Sequence, residues 1–209
     1  MIDRYTYLEG SQWQQAMMNW AEGGKAVSKN HFPWQDWTQL LLKQRMHLFY
    51  QREWFIEQFG YTLPNAEFIQ NVLEYGPFLE IGAGSGLLSC LLAQAGSDIV
   101  ATDIGESYYN FKIGHWFPVQ TYHAQEALHI FPNRTVLLAW PCYQQNWATE
   151  ILELLKPKQK LIYIGEWKNG CNANDSFFNL LNHRFLKIQK LPWKPFPYIQ
   201  DEATVFQKI

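Results

Sequence analysis

The nine residues FLEIGAGSG, Phe78 to Gly86, decide how the rest of the chain is read. Phe78 to Ile81 is a short apolar run of the kind a parallel strand buried on both faces requires, with Glu80 as its one charge. Gly82, Gly84 and Gly86 then alternate with Ala83 and Ser85. Glycines at that spacing let a strand turn sharply into a helix and bare peptide groups that a side chain would cover. A nucleotide-type cofactor suits such a turn. A dinucleotide loop, GxGxxG, would put its third glycine at position 87, where this chain has Leu87, so an NAD-dependent oxidoreductase is the weaker reading. Asp103 closes the next apolar run about twenty residues on, where a carboxylate can accept hydrogen bonds from two ribose hydroxyls.

Outward from this loop, short apolar runs alternate with helical segments, the pattern of a parallel sheet covered on both faces. Strands are expected at 78–81, 98–102, 117–122, 135–140 and 160–165, with helices over 85–96, 106–116, 124–131 and 144–156. Two later strands, FLKIQKL and ATVFQKI, flank the proline-broken WKPFPYIQD and form a hairpin-like pair. Towards the amino terminus the period becomes helical. Trp37, Leu41, Leu48, Phe55 and Phe59 share one face of a helix over 36–60, Leu42, Met46, Phe49 and Ile56 line the adjacent stripe, and Gly60 is its stop. A second helix, over 65–75, ends at Gly76-Pro77. The fold class is therefore α/β, a Rossmann-like, doubly wound, mainly parallel sheet of about seven strands. Residues 1–75 are expected to form a helical cap packed on the core domain 76–209.

The motif Glu80-Ile-Gly82-Ala-Gly84-Ser-Gly86, followed by an acidic residue ending the second strand, resembles the class I S-adenosylmethionine-dependent methyltransferases over roughly residues 65 to 209. The resemblance implies that Glu80, Gly82, Ala83, Gly84 and Gly86 border the methionine end of S-adenosyl-L-methionine, and that Asp103 binds its ribose. S-adenosylhomocysteine would be the product. Ile104 stands where the family often packs an apolar side chain on adenine, or it is ordinary core. In TYHAQEAL, His123 and Ala124 follow the third strand, where many members carry an acidic residue for the adenine amine. His123 either accepts through a neutral ring nitrogen or is a plain loop histidine.

The fourth strand ends in Ala139, Trp140, Pro141, Cys142 and Tyr143. Family members that methylate planar amines carry [D/N]PP[Y/F/W] here. Trp140 offers only an indole donor where the Asp or Asn would accept, which argues against nucleic-acid adenine methylation. Two readings remain. Either a rigid proline turn presents Trp140 and Tyr143 to an apolar, aromatic or cationic substrate, or an aromatic-proline stop packs on the core. After the fifth strand, Glu166 is the candidate amine anchor or general base, against the alternative of a solvated loop carboxylate. WPxY followed by GE and GC is also similar to a narrower group of methyltransferase-like proteins. Cys142 has no partnering base in any motif, and an inert thiol is its simpler role.

Composition sets the outer limits. Seventeen Lys and Arg against nineteen Asp and Glu leave a net charge of -2, so no general nucleic-acid binding is expected. Three well-separated cysteines and six histidines show no metal-ligand spacing, and no metal is implied. No apolar run approaches a membrane span or a signal peptide, so no membrane association and a cytoplasmic location are expected. The function read from the sequence is methyl transfer to a small-molecule or peptide nucleophile in an aromatic pocket. The alternative is a catalytically silent S-adenosylmethionine- or S-adenosylhomocysteine-binding module whose Trp-rich cap engages a protein partner; packing of the cap explains the same tryptophans.

Overall fold

A computed structural model describes residue 56 and residues 60–62, 64–105, 115–168, 170–195 and 199–209 of the chain. The cap up to residue 55, and residues 106–114 of the helix expected over 106–116, lie outside the described residues, and His115 and Trp116 are not helical. At the edge of that region, Ile56 is helical and buried, and the Gly60 amide donates to the Ile56 carbonyl at 3.0 Å with a φ of +107°. A left-handed glycine is the stop the sequence suggests at this point.

Helix α1 (Ala66–Val72) starts at Asn65, whose Oδ1 accepts from the Phe68 amide at 2.7 Å, and runs into a 3-10 turn at Leu73–Tyr75. Strand β1 (Phe78–Ile81) follows, buried along its whole length. Next come α2 (Leu87–Gln94), β2 (Ile99–Asp103), β3 (Val119–Thr121), α3 (Ala124–Ile130), β4 (Thr135–Ala139), α4 (Trp147–Leu154) and β5 (Lys160–Gly165). The chain continues through α5 (Asp175–Arg184), β6 (Phe185–Leu191) and β7 (Glu202–Lys208). Asn174 caps α5 by accepting from the Phe177 amide at 2.8 Å.

The seven strands form one sheet in the order β3-β2-β1-β4-β5-β7-β6. Strands β1 to β5 pair in parallel, whereas β7 runs antiparallel between β5 and β6. The side-chain period of two splits the sheet's apolar residues between two cores. On one face Phe78, Leu137, Ile162 and Val205 pack with Phe68 and Val72 of α1 and Leu88 and Leu91 of α2. On the other, Leu79, Leu138, Tyr163 and Phe206 meet Ala127 of α3, Ile151 of α4 and Phe177 of α5. This is the doubly wound α/β architecture read from the alternating runs.

Two boundaries differ from expectation in ways that matter for the site. Strand β3 shrinks to three residues, and β4 stops at Ala139 because Trp140 turns into the left-handed region at a φ of 51°. The Trp140 amide nevertheless donates to the Ile164 carbonyl at 2.8 Å, prolonging the ladder while the side chain swings out of the pleat.

Candidate active site

Strand order reverses between β1 and β4, and open α/β sheets bind ligands at the carboxyl ends of the strands beside such a point. A cleft of about 350 Å³ lies there. Its floor is the loop after β1. The Gly82 and Ala83 amides both donate to the Thr102 carbonyl, at 2.9 and 3.0 Å, and the Thr102 hydroxyl donates to the Glu80 carbonyl at 3.0 Å. These bonds lash the turn to β2. The Gly84 amide points across to Asp103 and donates to Oδ2 at 2.9 Å, while Oδ1 accepts from the Gly105 amide at 3.0 Å. Each carboxylate oxygen has two acceptor positions, so Asp103 is held in place and retains capacity for a ligand's hydroxyls.

The glycines serve separate ends. Gly86 is buried at a φ of +75°, and a Cβ there would stand 3.0 Å from Val119 Cγ2 and 3.1 Å from Phe117 Cβ. Its smallness lets the start of α2 lie against β3, and it does not border the cleft. Gly82 does border it, facing the Trp147 ring, which a Cβ would meet at 3.3 Å.

Glu80 is 2% exposed, borders the cleft, and accepts from the Ser89 hydroxyl. Burial pushes its carboxyl up to about 7; the Ser89 hydrogen bonds oppose that shift and the charge of Asp103 adds to it. Ile104 is 45% exposed although apolar, and it forms part of the cleft wall with His123 and Ala124. His123 precedes α3, its amide donating to Glu126 Oε2 at 3.1 Å.

On the β4 side Trp140 borders the cleft, with Cys142 beyond it. Its indole N–H donates to Asp201 Oδ2 at 3.2 Å, and its ring stacks on Tyr61 at 5.7 Å between centroids, 21° from parallel. Tyr143 is 58% exposed and does not border the cleft. Nor does Glu166. Its Oε2 accepts from the Cys171 amide at 3.0 Å and its Oε1 from the Gln200 amide at 3.2 Å, so the carboxylate ties its own loop to the approach of β7.

The structure thus gathers Glu80, Gly82, Ala83, Gly84, Asp103, Ile104, His123, Ala124 and Trp140 around one cleft, and leaves Gly86, Tyr143 and Glu166 outside it. Sequence reasoning missed Tyr61, Tyr122, Gln125 and Trp147, which also border it. Gln125 sits beside the singled-out His123 and Ala124, and Tyr61 beside the helix stop Gly60; neither carries a motif of its own. Among the described residues, no Lys or Arg lines the cleft. Among the described residues, no cluster of three or more His, Cys, Asp or Glu is placed to hold a metal, and no helix is long and apolar enough to cross a membrane.

No protein-family model and no curated protein sequence matches the chain. Solved structures with a similar arrangement include TrmN from Thermus thermophilus, with a TM-score of 0.45 and 13% identity over 68% of this chain and 47% of that one. The chain therefore spans about half the length of TrmN. The ribosomal protein L11 methylase from Lactobacillus delbrueckii subsp. bulgaricus gives a TM-score of 0.43 with 13% identity, covering 69% of this chain and 80% of that one. SMU.1697c from Streptococcus mutans, a structure in complex with SAH, gives 0.37 with 15% identity over 68% of this chain and 93% of that one. At these scores the likenesses carry no argument about activity.

Proposed function

We propose that the protein is a cytoplasmic S-adenosylmethionine-dependent methyltransferase acting on a small-molecule or peptide nucleophile. One observation carries the reading. The Asp103 carboxylate is clamped by Gly84 and Gly105 at the rim of a cleft whose floor is the glycine turn, an arrangement suited to hold a ribose against bare backbone.

The donor set fits S-adenosylmethionine better than a dinucleotide. A pyrophosphate would lie against Glu80 and Asp103 with no Lys or Arg among the described residues of the wall to offset its charge, whereas S-adenosylmethionine carries no phosphate. Inserting antiparallel β7 beside β5 also departs from the all-parallel 3-2-1-4-5-6 order of dinucleotide-binding folds. In this assignment Asp103 accepts from the ribose hydroxyls, and Ile104 packs on the adenine between His123 and Ala124. Gly82, Ala83 and Gly84 admit the chain to the backbone, and Glu80 faces the methionine end. Gly86 supports the turn by packing. When bound, the cofactor supplies a methyl on a sulfonium.

The chain's own part is to align the acceptor and keep water out. Trp140, Tyr61 and Trp147 are the aromatic groups placed to do so. Tyr143 remains a candidate for contact with an acceptor that extends out of the cleft, since it is exposed two residues beyond the glycine-free turn at Pro141. Glu166 is the weaker candidate, because two amides already occupy its carboxylate. That engagement favours a second reading, a silent cofactor-binding module whose amino-terminal cap meets a protein partner.

Calorimetric titration with S-adenosylmethionine and S-adenosylhomocysteine tests the proposal. Micromolar binding of either is expected; a folded chain that binds neither overturns it. Turnover of radiolabelled methyl to amines or phenols separates the enzyme from the silent module.

A further inference from the structure

We propose that the end of the sheet opposite the cleft is a docking surface for an anionic phospholipid bilayer, centred on the turn Lys156-Pro-Lys158-Gln-Lys160. The inference does not rest on the assignment of the cleft. Three lysines in five residues are presented by a turn that is braced from within. Gln159 Oε1 accepts from the Lys156 amide at 3.0 Å, and its Nε2 donates to the Pro132 and Arg134 carbonyls at 3.2 and 3.0 Å. The Lys158 amide donates to the Lys208 carbonyl at 2.9 Å, and the Ile209 amide to the Arg184 carbonyl at 2.9 Å, which brings the ends of α5 and β7 to the same place. Lys156, Lys158, Lys160, Arg184 and Lys208 thus share one end of the molecule.

Elsewhere, Arg134 pairs with Asp98, Lys168 with Asp175, and Lys187 and Lys190 with Glu202; among the described residues no carboxylate pairs with any of these five. Two carboxylates act on the group. Glu153 attracts Lys208, and Glu74 acts on Tyr75, whose ring lies 5.3 Å from the Lys160 ammonium, so three positive charges remain in excess. Burial, and after it the charge of Arg184, hold the Lys208 ammonium below its ordinary range despite Glu153. Helix dipoles account for Arg184, in the last turn of α5, and for Lys208, whose ammonium donates to the Leu152 carbonyl at 2.5 Å near the end of α4. They do not account for Lys158 and Lys160. Apolar neighbours choose among polyanions. Ile130, Leu154 and Leu186 are 47%, 53% and 54% exposed. Leu154 stands two residues before Lys156, Leu186 two after Arg184, and Ile130 two before Pro132, to whose carbonyl Gln159 is bonded. A phosphodiester strand would satisfy the cations and leave these aliphatics in water. A layer of anionic headgroups takes both, the lysines at its phosphates and the aliphatics at the acyl boundary. The lack of a spanning helix among the described residues bears on crossing a bilayer and not on lying against one. Strand β5 runs about 17 Å from Lys160 to its carboxyl end, beside the end of β4 that borders the cleft, so docking leaves the cleft facing water.

The chain is sedimented with vesicles of phosphatidylcholine alone and with vesicles that also contain phosphatidylserine, at low and at high salt. Binding only to the serine-containing vesicles, weakened by salt, is expected. Lys156→Gln is combined with Lys158→Asn, because Asn tolerates the left-handed backbone that Lys158 adopts at a φ of 68°. The pair should lower the partition coefficient about 25-fold, at roughly fivefold per cation. Leu154→Gln with Leu186→Gln should lower it severalfold with every charge intact. Lys168→Gln, on a lysine already paired and following the other end of β5, should leave it unchanged. If the lysine variant melts below the wild type, Arg184→Gln, with an expected loss of about fivefold, carries the same test. Equal partition onto both vesicles, or binding indifferent to these cations or to the two leucines, overturns the proposal. So does a chain that ignores both vesicles and instead uses the same lysines to bind a DNA duplex, or to pair with further copies in light scattering.

Discussion

The two sides of the sheet handle acidic residues in opposite ways. On the β1–β2 side, Glu80 and Asp103 border the cleft. On the β5–β7 side, Glu166 and Glu202 are consumed by the structure around them. Glu166 staples residues 171 and 200, and Glu202 accepts from the Trp167 indole and the Lys190 ammonium, with Lys187 at 3.8 Å. Burial would raise the Glu202 carboxyl, yet the hydrogen bonds from Lys190 and Trp167 hold it below the usual range. Four acidic residues thus stand at or beside strand ends, and what separates the two that border the cleft from the two staples is the origin of their donors. Asp103 takes its amides from the turn that floors the cleft and from its own loop, which leaves it facing the cleft; the donors to Glu166 draw it away.

The contrast can be broken by four substitutions. The largest effect belongs to Glu80. Its carboxyl, near 7 in the fold against an ordinary value of 4.5, favours the protonated form, so its stabilising contribution is complete below about pH 4.5 and is lost as pH rises through 7. Glu80→Gln removes this dependence. The variant should exceed the wild type by up to about 3 kcal/mol at pH 8 and by little at pH 4.5, as read from denaturant melts. A wild type whose stability is flat across that window would place Glu80 with the staples.

Asp103→Ala should weaken S-adenosylmethionine and S-adenosylhomocysteine alike, by about 1.5–3 kcal/mol, or roughly ten- to 150-fold. Unchanged affinity in calorimetry would remove the ribose assignment. For Glu166→Ala the expectation inverts: a loss of about 1–2 kcal/mol in folding stability from two amides left to water, a melting shift of several degrees, and cofactor affinity within about twofold of wild type. Lost turnover with an unchanged melt would restore Glu166 as a base. The smallest effect is expected far from the cleft, at the bidentate pair of Arg134 with Asp98, both bonds 2.9 Å. Asp98 is 68% exposed, so Asp98→Ala should cost about 0.5–1 kcal/mol, less in high salt, with binding untouched.

What the sequence disclosed and withheld follows from the range of each signal. FLEIGAGSG was legible because a buried strand, a tight turn and a helix start are all written in adjacent residue types, and Asp103 because it ends a strand whose register follows from its own pattern. The partners of Glu166 were not legible: they are backbone amides of Cys171 and Gln200, and any residue but proline carries such a group. The hydrogen bond joining Trp140 to Asp201 spans 61 residues, and no feature of WKPFPYIQD marks its final Asp as different from a loop carboxylate. Nor does residue type announce that a tryptophan adopts a left-handed backbone. The order of the last two strands was equally hidden, because β6 and β7 both look like good neighbours for β5 and only the completed pairing chooses.

That choice has a consequence for how the chain comes off the ribosome. Strand β7 is made after β6 but lies inside it, bridging β5 and β6 with antiparallel ladders on both sides. A nascent chain that has reached β6 can assemble the parallel strands around the cleft, yet it has no place to dock β6 and must leave the edge of β5 bare. Bare strand edges invite pairing with other chains. The half that holds the cleft can form during synthesis, whereas the half that seals the sheet must wait, and aggregation during expression should concentrate in that interval.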